Sequence, residues 1–365
     1  DAVKLTEYLR FRTYLLGMSN GRHQTHNPTK ARWGQRRTNE PIARAVDPGS
    51  LARDVESLGP DQKLLSTSRF SVYYAWSSQI PMVLREIGRL REQTFRPLGE
   101  GTGHAVDLDR FDNIYIHLFV WAEDEQELVG AYRLAPTLAI LSKHGKKGLY
   151  TQTLFRYRSH LLNKIGPALE LCRTFIRTEY QRDYAPLLML WKGIGQYVTR
   201  NPAYKTLFGA VSISSAYETY SRQLMAAFLK INNYAPELSR MVRPRRPFRQ
   251  KKALSLIKGN ADLHRNDPGE LSSWISGIEP DGKGIPVLLK QYLKLGGKVL
   301  AFNIDPAFGD TLDGLMVVDL TRTPHKVLKR YMGTEGFERF RQFHAMPDHG
   351  VPRATGQSHA SCANA

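Results

Sequence analysis

From Arg69 to Asn233 the chain switches repeatedly between two periodicities, and this alternation limits the folds open to it. The runs "RFSVYYAW", "IYIHLFVWA", "ELVGAYRLA", "ALELCRTFIR" and "KTLFGAVSIS" are short and rich in β-branched and aromatic residues, as strands require. Between them, "IPMVLREIGRLREQTF" places Ile80, Leu84, Ile87 and Leu90 on one stripe, with Arg and Glu opposite. That spacing specifies an amphipathic helix. "APLLMLWKGIGQYVTRN" and "AYETYSRQLMAAFLKINN" read as helices on the same grounds. Strands and helices interleaved in this order predict a mixed α/β layer structure.

Flanking segments divide the chain. "KLTEYLRFRTYLLG" has Leu5, Leu9, Leu15 and Leu16 at helical spacing, so residues 1–16 read as the end of an upstream unit. Residues 17–50 are rich in Gly, Pro, Asn, Arg and Thr and lack periodicity, so 17–65 reads as a linker or arm, ending with a short helix in "SLARDVESL". The domain is expected over 66–345, interrupted by a basic insertion at 236–285 and followed by a disordered tail at 346–365. Within the domain, "PTLAILSKHGKKGLYTQTLFRY" predicts a helix, a loop and a short helix. "IPVLLKQYLKLGGKVLAFNID" predicts a helix leading into a strand.

The net charge of +18 selects acidic partners: nucleic acid, an anionic bilayer or an acidic carrier protein. No helix-turn-helix, RNA-recognition or zinc pattern accompanies it, which argues against nucleic acid. Arg243, Arg245, Arg246 and Arg249 form a candidate membrane or anion patch around Phe248, or a solvated loop. Two cysteines at non-metal spacing imply no metal site and no disulfide framework. No apolar run approaches the ~20 residues of a membrane span. A cytoplasmic protein peripheral to the inner membrane is the expectation.

The stretch "FRPLGEGTGHAVDLDRFDNIYIHLFVW" admits three chemistries. Its glycines follow a helix and open a loop, the reverse of a phosphate-cradling loop, so turns needing positive φ explain them better. His104 and Asp109 have the spacing of glycerolipid O-acyltransferases, but no second phosphate-binding motif follows. The third reading joins Asp109 and Asp112 to a longer set: Arg91, Phe95, Arg133, Leu134, Thr137, Glu170 and Arg173.

That set, with "VGAYRL", "LYTQTLF" and "LFGAVSIS", resembles the ornithine- and glycine-lipid N-acyltransferases of the GNAT superfamily, also called hemolysin-like. It resembles the related acyl-homoserine lactone synthases less closely, because their tryptophan before the carboxylates is missing. Cys172 stands where a small glycine is usual. The resemblance covers about residues 66–345 and implies a mostly antiparallel sheet whose fourth and fifth strands splay apart, flanked by helices. In some members a lysophospholipid O-acyltransferase domain precedes this one, which fits the helix at 1–16.

The implied reaction moves a long, 3-hydroxylated acyl chain to the α-amine of an amino acid such as ornithine or glycine. No cofactor is held; the donor is a phosphopantetheine thioester of acyl carrier protein or an acyl-CoA. Glu170, on an apolar strand, is the candidate base, or else an ion-pair partner of Arg133 or Arg173. In a flat strand Glu170 and Arg173 face opposite ways, so both line one site only if the strand bulges. Arg91, Phe95, Asp109, Asp112 and Arg133 are candidates for substrate binding, or for a structural salt-bridge cluster. Phe175, Ile176, Arg177, Arg182 and Trp191 are candidates for the acyl donor. Competing functions are autoinducer synthesis and non-catalytic lipid binding.

Overall fold

A computed structural model describes residues 39–249 and 267–347 of the protein. The expected helix at 1–16, residues 17–38 of the arm, part of the basic insertion with Lys251 and Lys252, and the tail beyond 347 lie outside those residues. Helix α1 (Pro48–Glu56) starts at Asp47, whose carboxylate accepts from the Ser50 amide at 3.0 Å, and Pro48 opens its first turn. Strands β1 (Lys63–Ser66) and β2 (Phe70–Trp76), helix α2 (Pro81–Phe95), and strands β3 (Ile116–Ala122) and β4 (Glu127–Pro136) follow. Helix α3 (Thr137–His144), strand β5 (Phe155–Tyr157) and helix α4 (Ser159–Ile165) lead into β6 (Ala168–Ile176). Next come α5 (Ala185–Arg200), β7 (Thr206–Ile213), α6 (Thr219–Asn232), the single turn α7 (Pro236–Ser239) and β8 (Val242–Pro244). The fold closes with α8 (Pro268–Ile278), α9 (Val287–Lys294), β9 (Lys298–Asp305), β10 (Thr311–Asp319) and α10 (His325–Phe343).

Eight strands form one sheet in the order β1-β2-β3-β4-β6-β7-β10-β9. Every neighbouring pair is antiparallel except β6 and β7. These two run parallel and pair only at Ala168–Thr206, Leu169–Leu207 and Glu170–Phe208. Beyond Glu170, β4 holds β6 as far as Ile176 while β10 holds β7 as far as Ile213, so the sheet forks. The splayed pair expected from "ALELCRTFIR" and "KTLFGAVSIS" is this fork.

On one face of the sheet, α5, α6, α8, α9 and α10 bury Trp191, Phe228, Trp274, Tyr292 and Phe340. On the other, α1 and α2 cover the β2–β4 half, and a second cluster with Leu149, Phe155 and Leu161 covers the rest. The fork therefore opens between two well-packed layers.

Three local expectations change. The end of the compositional arm packs into the domain: the helix expected in "SLARDVESL" is α1, with Leu51, Ala52 and Val55 buried against α2, and an unexpected strand, β1, follows it. The segment after α3 ends in a 3-10 turn (Tyr150–Thr153) and strand β5 instead of a short helix. The start of the basic insertion is not a free loop: β8 pairs with β5, Arg243 opposite Arg156. Local periodicity misses such strands because each has only three residues.

Candidate active site

The cleft at the fork has a volume of about 130 Å³. Leu171, Cys172, Arg173 and Thr174 line it from β6, and Ala210 and Ser212 line it from β7. Tyr132 and Leu288 meet it on the face carrying α5, whereas Phe95, Glu100, Tyr150, Leu154, Asp305 and Phe308 meet it on the face carrying α2. The cleft is thus lined from both faces of the sheet.

Arg173 enters the cleft through a break in strand geometry. Ala131 faces Phe175 and Arg133 faces Cys172, so two residues of β6 stand opposite Tyr132. Within this bulge Arg173 takes φ +53°, a left-handed conformation costing on the order of 1–3 kcal/mol for a non-glycine residue. Its guanidinium pairs with Asp107 at 3.2 Å and lies 4.9 Å from the Phe308 ring centroid and 5.6 Å from that of Tyr150. Its Nε, buried, has no hydrogen-bond partner among the described residues.

Glu170 is elsewhere. The bulge that would let it share a site with Arg173 is present, yet Glu170 is fully buried and is not among the residues lining the cleft. Its carboxylate accepts from the Tyr150 amide at 2.9 Å, the Thr151 amide at 2.7 Å, and the hydroxyls of Thr151 and Tyr115. Burial pushes its pKa up, and these donors pull partly the other way. In this position it anchors the 150–153 turn to β6. Glu170→Gln replaces one acceptor oxygen with a donor and is expected to destabilise the fold by about 1–3 kcal/mol. The folded fraction should keep the wild-type pH–rate profile; thermal melts and initial rates of acyl transfer check both.

The substrate-binding candidates divide similarly. Phe95 lines the cleft. Arg91, Asp112 and Arg133 are completely or almost completely buried and do not line it, because Asp112 bridges Arg91 at 2.8 Å and Arg133 at 3.0 Å. Asp109 adds a second contact to Arg133 at 2.7 Å. The guanidinium of Arg133 lies over Phe111, Tyr115 and Tyr150. These four residues form the structural salt-bridge cluster. Burial, helped by the charge of Arg91, holds His117 down to about 4, so that imidazole is neutral.

Of the donor candidates, none lines the cleft. Phe175 is buried under α1 and α2, and Ile176 is partly buried at the end of β6. Trp191 packs between Tyr132, Tyr292 and Tyr331, one layer behind the cleft wall. Arg177 pairs with Glu127 and Glu179, and Arg182 is exposed just before α5. Arg243, Arg245, Arg246 and Arg249 are all exposed. The Arg245 amide donates to the carbonyl of Leu154, a cleft residue, so the basic strand borders the opening.

Cys172 accepts from Arg133 Nε at 3.3 Å, and burial pushes its thiol up to about 11, so it is protonated and not a nucleophile at neutral pH. His104 is exposed and contacts Glu40 at 3.2 Å, far from an acid–base role with Asp109. The glycines beside it make turns as expected: Gly99 has φ +74° and Gly103 φ +82°. Glu92 closes the loop by accepting from the Thr102 amide at 2.8 Å and the Gly103 amide at 2.9 Å. The carboxylate this loop brings to the cleft is Glu100, with Asp305 and Asp313 arriving from β9 and β10. All three were missed in the sequence, where each is a single acid in an ordinary turn or strand.

A family model described as an acetyltransferase (GNAT) domain matches residues 90–192. Glycine N(alpha)-acyltransferase of Phocaeicola vulgatus is 30% identical over 270 residues, 69% of this chain and 81% of that protein. The enzyme of the same description from Bacteroides thetaiotaomicron is 30% identical over 270 residues, 69% of this chain and 79% of its own length. Among solved structures, a CoA-dependent acyl-homoserine lactone synthase with SAM and isopentyl-CoA is 12% identical, covers 76% of this chain and 90% of that one, and superposes with a TM-score of 0.34. The matched domain and the two relatives place the chain in the GNAT N-acyltransferase family that includes the glycine N(alpha)-acyltransferases, and it is an acyltransferase.

Proposed function

We propose that this enzyme moves a long acyl chain from a thioester to the α-amine of glycine, forming an N-acylglycine. The observation that carries the reading is the cleft at the forked sheet, lined from both of its faces. Beyond Glu170 the β6 edge facing β7 has no partner strand. Its free amide groups are suited to polarise a thioester carbonyl, a preorganised contribution of about 3–4 kcal/mol to the barrier. The names of the two relatives point to glycine as the acceptor.

The donor arm approaches along α5, where Arg182 stands ready for an acidic carrier protein or a CoA phosphate. The exposed arginines at 243, 245, 246 and 249 border the acceptor side and suit an anionic membrane surface that takes up the lipidic product. No described helix is long and apolar enough to cross a membrane. Purified protein incubated with acyl-CoA or acyl-carrier protein, and with glycine or ornithine, should yield chiefly N-acylglycine by mass spectrometry. A lactone formed only with S-adenosylmethionine would favour autoinducer synthesis, and no amide with any amino acid would overturn the reading.

A further inference from the structure

Three carboxylates converge at one end of the cleft, on the face opposite α5. Asp313 is 2% exposed, and its Oδ1 accepts from the Ser212 hydroxyl at 2.6 Å. Its second oxygen takes no hydrogen bond or ion pair from any described residue, although the side chain lines the cleft. Asp305 is 8% exposed and accepts from the Ala307 amide at 3.0 Å, and Glu100 is 7% exposed, with the Ser214 hydroxyl nearby favouring its charged form. None of the three forms an ion pair with a described residue. The nearby cation, Arg173, pairs instead with Asp107.

Like charges crowded into a low-dielectric cleft repel, and burial penalises each one further. Burial accordingly raises all three pKa values, that of Asp313 to about 7. A bound cation with several donors relieves both penalties. An amino-acid acceptor is such a cation at its ammonium end and an anion at its carboxylate end. Its nitrogen must also lose a proton before it can attack.

We propose that Asp313 is the general base of acyl transfer, that Asp305 and Glu100 complete the seat for the acceptor ammonium, and that Arg173 receives the acceptor carboxylate. The assignment rests on the N-acyltransferase reading above and names the groups that execute it. The free Asp313 oxygen takes one ammonium proton. The nitrogen lone pair then forms the C–N bond at the thioester carbonyl, and collapse of the tetrahedral intermediate breaks the C–S bond. A second nitrogen proton goes to the departing thiolate, leaving one on the amide. Ser212 holds Asp313 in place and favours its charged form. The other charged or titratable groups acting on Asp313 are Glu100, Asp305, Arg173, Tyr150 and Arg222.

Wild-type enzyme should show kcat/KM for glycine rising with pH through about 7, the range in which Asp313 ionises. Asp313→Asn should lower kcat by about 10²–10⁴-fold and abolish that limb, with the thermal midpoint showing the fold intact. Ser212→Ala, which keeps the base and removes its hydroxyl donor, should move the limb to higher pH. A structural role for Asp313 would leave the limb where it is. Wild-type kcat and pH profile in both variants would overturn the assignment. A wild-type enzyme that forms no amide overturns the acceptor reading instead, a result distinct from failure of the base.

Discussion

Asp112→Ala is expected to destabilise the fold by about 3–5 kcal/mol, the usual cost of deleting one partner from a buried ion pair. The Asp112 carboxylate contacts Arg91 at 2.8 Å and Arg133 at 3.0 Å and also accepts from the Asp109 amide at 2.7 Å. Both arginines are 0% exposed. Nε and Nη2 of Arg91 and Nη2 of Arg133 already lack partners among the described residues, so no spare acceptor is at hand to replace the lost carboxylate. The loss should appear as a lower urea midpoint at pH 7, with Asp112→Asn intermediate because one oxygen remains. Burial raises the Asp112 pKa, but the charges of Arg91 and Arg133 more than reverse this and hold it well below the usual carboxylate range. A depressed carboxylate stabilises the fold above its unfolded value of ~3.9 and loses that contribution as pH falls toward the folded value. The gap between wild type and Asp112→Ala should therefore stay constant from pH 7 to about 5 and narrow only in stronger acid. Equal midpoints at pH 7 would mean that the network contributes nothing to stability.

Gly209→Ala is expected to reduce acyl transfer by about 10²-fold while costing about 1–3 kcal/mol of stability. Gly209 lies one residue past the last β6–β7 pair, and a Cβ there would collide with the Leu171 carbonyl oxygen. Both strands are held on their outer edges by β4 and β10, so the clash must be relieved by widening the fork. Widening moves the β6 amide groups away from β7 Ser212 and displaces the thioester from its acceptor. Calorimetry and thiol release from an acyl thioester separate the two effects. Gly314→Ala on β10 is the control: its nearest neighbour is the Phe302 ring edge at 3.3 Å, a side chain able to shift. Equal activity losses in both variants would show that the fork is not the sensitive point.

The α/β layering, the paired strands β3 and β4 and the long helices were legible in the chain, because each is encoded by a local period and hydrophobicity; the splayed strands were implied only by the resemblance to a known family. The set of spaced residues likewise pointed to amine acylation. Their individual roles were not legible. Arg91, Asp112, Arg133 and Glu170 have the composition of an active site, but they are buried in ion pairs and hydrogen bonds that only packing reveals. Arg173 reaches the cleft through a one-residue bulge, and a shift of one residue reverses which face a strand side chain takes. Glu100, Asp305 and Asp313 come from a loop and two late strands, far apart in the chain, and no local pattern links them. Periodicity along one segment states which residues share a face; it carries no information about which other segment will lie beside that face. For this protein the sequence sufficed for the fold and the class of reaction, while strand order and the fork decided which carboxylates line the cleft.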